Sequence, residues 1–199
     1  MSARPSSEPG PGLRERKKTR TRFAIQQQAL RLFREQGYQA TTMEQIAAAA
    51  EVSPSTVFRY FPTKDALVLT DDYDPVMIEQ LRMQPPGLGV VAAFRSALRE
   101  TFRDLPAEQL EAAKERHSLV MTVPELRASF ADFAITAMQQ VAEFAAERTG
   151  RKVDDPEVMA VSGALLGVML AAYTQGDDLQ AQLARIDTQL AHLETGFTL

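Results

Sequence analysis

The sequence predicts an all-α fold of about nine helices, with a small N-terminal part and a larger C-terminal one. Three observations carry that prediction. Apolar residues recur at helical spacing along most of the chain, and no alternating run bounded by turn pairs marks a strand. Prolines and glycines fall where such runs would start and stop. Charge is also segregated: residues up to Leu67 hold 11 Lys and Arg against 6 Asp and Glu, and those beyond hold 11 against 20, within a net charge of −4. The front suits a polyanion and the back does not. At 199 residues the chain has room for one large or two small domains and a buried core.

Residues 1–12 are rich in Ser, Pro and Gly, with no apolar segment of the kind a signal peptide needs, and read as a disordered arm. A basic run at residues 14–22 opens the first helix, and Lys17, Lys18 and Arg20 are its candidate phosphate contacts. Phe23, Ala29, Leu30 and Phe33 mark that helix's packing face, Gly37 stops it, and Tyr38 closes the small core. Thr41 and Thr42 each stand three residues before an acid or amide (Glu44, Gln45), the capping-box spacing. Ile46, Ala47 and Ala50 share a helical face; Glu51-Val52-Ser53 is a turn; Ser53-Pro54 is a hydroxyl cap followed by proline at the first helical position. Val57 and Phe61 point inward from this second short helix, leaving Ser55, Thr56, Arg59 and Tyr60 outward. Pro62 ends it, and Thr63 restarts the chain with Lys64 and Asp65 in the next first turn.

Two helices joined by a short turn, the second exposing hydroxyls, a guanidinium and a phenol, describe a helix-turn-helix reader of the DNA major groove, at about residues 42–61. Arg59 has the reach to donate a bidentate pair to guanine O6 and N7, worth about 1–3 kcal/mol of discrimination. Thr56 and Ser55 can touch bases or phosphate, and Thr42 can add a contact from its own helix N-terminus. Phe58 either meets a thymine methyl or is core.

The stretch ALRLFREQGYQATTMEQIAAAAEVSPSTVFRYFPTKDAL resembles the DNA-binding domain of the TetR family of bacterial transcription regulators, a likeness that covers about a third of the chain. Within the family, VSPSTVFRYFPTK is most similar to the mycofactocin-associated group, whose ligands are acyl-CoA-like. The resemblance implies that Tyr60 and Lys64 hold the DNA backbone. Three positions depart from the pattern. Glu51 stands where Gly is usual, at about 1 kcal/mol if the turn is left-handed. Ser55 replaces another frequent Gly, and Phe58 replaces a Tyr, which removes a phosphate-contacting hydroxyl.

Residues 13–67 are therefore expected to form the DNA-binding domain, and 68–199 a ligand-binding and dimerisation domain. One helix should run from Ala66 to about Leu81, kinked or broken at Pro75. After the loop at residues 85–89 come a helix at 90–102, one opened by Pro106, one opened by Pro124, and one capped by Asp154, Asp155 and Pro156. The uncharged run at residues 158–173 is 16 residues long, short of the roughly 20 that span a bilayer, so no membrane partner is expected. Gly163 and Gly167, four apart, would let another helix approach closely, and Leu179, Leu183, Ile186, Leu190 and Leu193 step like a coiled-coil seam. Spacing alone leaves open whether that seam packs on its own domain or on a second copy. The resemblance implies the latter, since in the TetR family the last two helices form a four-helix bundle across a two-fold axis.

The resemblance further implies a helical pocket for a small hydrophobic or acyl-type effector, which releases a palindromic DNA operator from the dimeric repressor. Phe94, Leu98, Phe102, His117, Met121, Phe130, Phe133, Met159, Met169 and Tyr173 are its candidate lining, with Arg116 beside His117 as a polar pair. No enzymatic role is expected. No nucleophile stands beside a base, and the two histidines have no metal-ligand spacing. The acidic pairs Asp71-Asp72, Asp154-Asp155 and Asp177-Asp178 sit at helix ends, where capping accounts for them. No cofactor is implied. The absence of Cys fits a reducing cytoplasm, where a nucleoid-associated regulator works. The alternative is a helical small-molecule or protein-binding module without specific DNA binding.

Overall fold

The computed structural model describes residues 13–70, 73–103, 106–175 and 179–196, and the expected arm at 1–12 and the pairs Asp71-Asp72 and Asp177-Asp178 lie outside them. Among the described residues there are ten helices and no strand. The chain divides into two compact units, one ending at Leu67 and the other beginning at Val68.

In the first unit, α1 (Leu13–Gln36), α2 (Met43–Ala49) and α3 (Pro54–Tyr60) enclose a small core. Ile25, Ala29, Leu30 and Phe33 of α1 meet Met43, Ile46, Ala47, Val57 and Phe61 there, all buried, while Phe23 is half-buried. Gln26 is buried too, its Nε2 donating to the Leu67 carbonyl at 2.9 Å, so the polar group is satisfied inside the core. Gly37, at φ +89, ends α1, and the Tyr38 ring lies 5.0 Å from that of Phe33.

Thr42 and Gln45 form the capping box: Thr42 Oγ1 accepts the Gln45 amide at 3.2 Å and Gln45 Oε1 accepts the Thr42 amide at 2.9 Å. Thr41 has a different role. It is buried, and its hydroxyl donates to the Gly37 carbonyl at 2.9 Å, because only one residue can occupy the N-cap position. Glu51 adopts φ +54, the left-handed turn that Gly would take without strain. Ser53 Oγ then accepts the Thr56 amide at 3.2 Å, with Pro54 in the first turn of α3.

The helix expected from Ala66 to about Leu81 is two helices, α4 (Ala66–Leu69) and α5 (Tyr73–Met83). The break precedes Pro75, which sits in the first turn of α5, where a backbone N–H has no helical acceptor to lose. The second unit continues with α6 (Val90–Phe102), α7 (Ala107–Thr122), α8 (Pro124–Thr149), α9 (Pro156–Tyr173) and α10 (Leu179–Thr195). Gly150, at φ +67, closes α8, and Asp155 Oδ1 caps α9 by accepting the Glu157 amide at 2.9 Å. Ala142, Ala145 and Ala146 pack with Val158, so small side chains bring α8 and α9 close. The main cluster joins Leu81, Phe94, Ala97 and Leu98 to Leu165, Ala172, Ile186 and Leu190. At its edge Asp187 takes bidentate pairs from Arg95 (2.8 and 3.0 Å) and Arg99 (2.6 and 2.7 Å), which hold its carboxyl well below the usual range and tie α10 to α6.

Part of the leucine seam expected between subunits packs within the unit itself. Ile186 and Leu190 are buried in the unit's own core, and Leu183 and Leu193 pack on the same cluster. Leu179, half-buried, lies with Leu183 and Ile186 along a cavity described below. The outward face belongs to α9, where Met159, Ala160, Gly163, Gly167 and Ala171 are exposed. A Cβ added at Gly163 or Gly167 would meet nothing within 4 Å.

Candidate nucleic-acid interface and ligand cavity

The caps that start α3 also set which side chains it presents. Val57 and the following Phe61 are buried, which turns Ser55, Phe58 and Arg59 out to solvent and leaves Thr56 and Tyr60 half-exposed. Phe58 is 45% exposed, which removes the core reading of this residue. Ser53 Oγ lies 2.9 Å from Ser55 Oγ and 2.8 Å from Thr56 Oγ1, a small hydroxyl network at the start of the helix. The Arg59 guanidinium lies over the Tyr60 ring, 5.4 Å from its centroid, so it starts from a preferred orientation without losing its donors. Lys17, Lys18 and Arg20 are exposed along α1, and Thr42 is exposed while its hydroxyl serves the cap of α2.

Lys64 also has a structural role. Its Nζ donates to the carbonyls of Tyr38 (2.9 Å) and Thr41 (3.1 Å) and sits 4.3 Å from the Tyr38 ring centroid. Two of its three N–H donors are thus used inside the unit. The tight connection between α1 and α2 leaves carbonyls that draw the nearest cation. Lys64 is thus a brace for this connection, with one N–H donor beyond the two it uses here.

The second unit contains a cavity of about 660 Å³, lined from the end of α4 and from α5, α6, α7, α8, α9 and α10. Of the ten residues expected to line it, Phe94, Phe102, His117, Phe130, Phe133, Met169 and Tyr173 do so. Three do not. Leu98 is packed in the core cluster between the longer Phe94 and Phe102; Met121 lies on the last turn of α7, past Val120; and Met159 is on the exposed face of α9. The lining also includes Met77, Val120, Gln140, Phe144 and Gln182. Phe144 shares the helical spacing of Phe130 and Phe133, so that signal was present in the sequence; for Gln140 and Gln182 there was none.

The cavity's aromatic side is ordered. The Tyr173 and Phe130 rings stack with centroids 4.7 Å apart and planes at 18°, and Phe133 continues the array at 6.4 Å and 22°. His117 meets Tyr173 edge-on at 4.4 Å. Both ring nitrogens of His117 are buried and have no hydrogen-bond partner. Burial lowers the His117 pKa and raises that of the Tyr173 phenol to about 12, so both are neutral near pH 7. Lys114, Arg116, Glu143 and Glu147 supply charge to the same lining. Among the described residues no cluster of His, Asp and Glu could hold a metal ion.

Comparison with known proteins adds to this geometry. Residues 25–70 match the family described as bacterial regulatory proteins, tetR family, and residues 88–198 match the MftR C-terminal domain. The HTH-type transcriptional regulator TcmR of Streptomyces glaucescens is 37% identical over 153 residues, covering 73% of this chain and 68% of its own. Among solved structures, Thermus thermophilus FadR, a transcriptional repressor in complex with lauroyl-CoA, aligns with a TM-score of 0.52 at 24% identity, over 89% of this chain and 95% of that one. Salmonella enterica GusR aligns with a TM-score of 0.52 at 19% identity, over 89% of this chain and 96% of that one.

Proposed function

Since the chain belongs to the TetR family of bacterial transcriptional regulators, we propose that it is a repressor that binds a palindromic operator as a homodimer and leaves it when a small hydrophobic effector occupies the cavity. The observation that carries this reading is the outward face of α3, where Arg59, Ser55 and Phe58 stand exposed on a helix fixed by caps at its start. Arg59 reads guanine, Phe58 meets a thymine methyl, Ser55, Thr56 and Tyr60 add base or backbone contacts, and Lys17, Lys18 and Arg20 neutralise phosphates. One short helix reads few base pairs, so specificity requires two copies on two half-sites.

The exposed small-residue face of α9, with Gly163 and Gly167 at its centre, supports pairing between copies, because it lets backbones approach closely. The cavity is of the size that takes drug-sized ligands, and its lining is mainly apolar. An acyl chain and a ring system both satisfy that need for apolar bulk. Coupling follows from linkage: the effector shifts operator affinity only as far as it binds the two states differently. The domain division at Leu67 and a cytoplasmic, nucleoid-associated location belong to the same proposal.

Selection of bound sequences from a random DNA pool, followed by binding to the winner across a salt series, tests it. A palindromic consensus and a steep loss of affinity with salt are expected. No enrichment, with binding flat in salt, would leave a helical binding module without specific DNA recognition.

A further inference from the structure

Within the DNA-binding reading above, on which this step rests, one residue of the reading face has no polar tip. Val57 and Phe61 are buried in the core of the first unit, and Ser55, Phe58 and Arg59 stand exposed on α3, neighbours at helical spacing. The Phe58 ring is 45% exposed. Its neighbours on that face are polar: Ser55 is hydrogen-bonded to Ser53 at 2.9 Å, and the Arg59 guanidinium lies over the Tyr60 ring. A phenyl ring gains nothing from phosphates, and the base edges of the major groove offer it one apolar group, the methyl at C5 of a pyrimidine. We propose that Phe58 makes operator binding depend on a 5-methyl group in each half-site, whether thymine or 5-methylcytosine carries it, so that cytosine methylation of the operator is a second regulatory input beside the effector.

The chemistry of the side chain separates the methyl from the base. Thymine has a carbonyl at position 4 and cytosine an amino group, and hydrogen bonds tell these two apart. A phenyl ring makes none of those bonds. It responds to apolar area removed from water, which a 5-methyl group supplies equally on either ring. Uracil and unmethylated cytosine carry only hydrogen there. The hydroxyl that a tyrosine would bring to this position is absent, so nothing ties the ring to a phosphate. A protein partner could also cover an exposed ring, but the adjacent guanidinium and hydroxyls, and the excess of Lys and Arg over Asp and Glu up to Leu67, favour a polyanion. Arg59 fixes the place of the methyl, close to the guanine that its guanidinium takes.

The test measures dissociation constants of the full chain by fluorescence anisotropy on the operator obtained by selection. Each pyrimidine of the half-site is taken in turn with and without its 5-methyl group, thymine against uracil opposite adenine and 5-methylcytosine against cytosine opposite guanine. One position is expected at which the methyl tightens binding about fourfold on either base, and about fifteenfold when both half-sites carry it, the value of burying one methyl group per half-site. In Phe58→Ala both ratios should fall to near one, whereas Lys17→Ala should weaken binding and leave the ratios unchanged. The wild-type ratios need no variant, and Phe58 is exposed, so its truncation empties no core. Absence of any methyl-dependent position, a dependence that survives Phe58→Ala, or one confined to thymine overturns the proposal. Failure to enrich any operator removes the DNA-binding reading and this inference with it. An operator indifferent to all its 5-methyl groups removes the methyl reading and leaves the regulator standing.

Discussion

Tyr173 on α9 lies edge-on to His117 on α7, with ring centroids 4.4 Å apart, and the contact buries an imidazole that has no partner for either nitrogen. Protonation would place a charge there, so burial holds the His117 pKa below its ordinary value of about 6.5. The unfolded chain then binds more protons than the folded one just below that pH, and stability rises with pH through the window. His117 makes its full contribution above about pH 7 and loses it as pH falls through the ordinary imidazole range toward the depressed folded value. Denaturant unfolding of wild type and His117→Phe at pH 5, 6 and 7 should show the wild type losing stability relative to the variant on acidification. Parallel pH profiles would contradict this account.

Arg59→Ala should cost about 1–3 kcal/mol on the selected operator and relax preference at one base pair per half-site. Lys17→Ala should instead weaken binding about equally on all sequences and reduce the salt slope by roughly one. Fluorescence anisotropy on the operator and on single-base variants separates the two signatures. An Arg59→Ala loss spread evenly over all sequences would move this residue from bases to phosphates.

Glu51 at φ +54 is a side chain in a backbone conformation that suits glycine. Glu51→Gly removes strain of about 1–2 kcal/mol and adds unfolded-state freedom of about 0.5–1, so a net gain of up to about 1.5 kcal/mol is expected. Thermal unfolding of the isolated variant reads this directly, and a lower melting temperature would mean that the Glu51 side chain makes a compensating contact.

Gly163 faces open space, so an arginine there meets nothing within its own chain. Gly163→Arg should keep the helical circular dichroism of the wild type while sedimentation shifts from dimer to monomer. A variant that remains dimeric would place the subunit contact away from this face of α9. Replacing Leu190, which is fully buried, should instead destabilise the chain itself by about 2–5 kcal/mol on change to Ala.

How far the sequence could be read depended on the range of the forces involved. Helix starts at Thr42, Ser53 and Asp155 and the left-handed turn at Glu51 rest on residues within four positions of one another, and local hydrogen bonding and sterics decide them. The inward face of α3, and hence the exposure of Ser55 and Arg59, followed from Val57 and Phe61 by the same short-range logic. Tertiary structure alone decided what covers each apolar face. The spacing of Leu183, Ile186, Leu190 and Leu193 is the same for a seam against a partner and a seam against α6 and α9, and the bidentate clamp of Arg95 and Arg99 on Asp187 accompanies the second. Lys64 likewise met carbonyls 23 and 26 residues away, which no local rule could supply. The cavity was legible as a set of aromatics but not as a ring array, because periodicity states which face a side chain is on, and only packing between distant helices states which rings share a plane and which nitrogens are left without a partner.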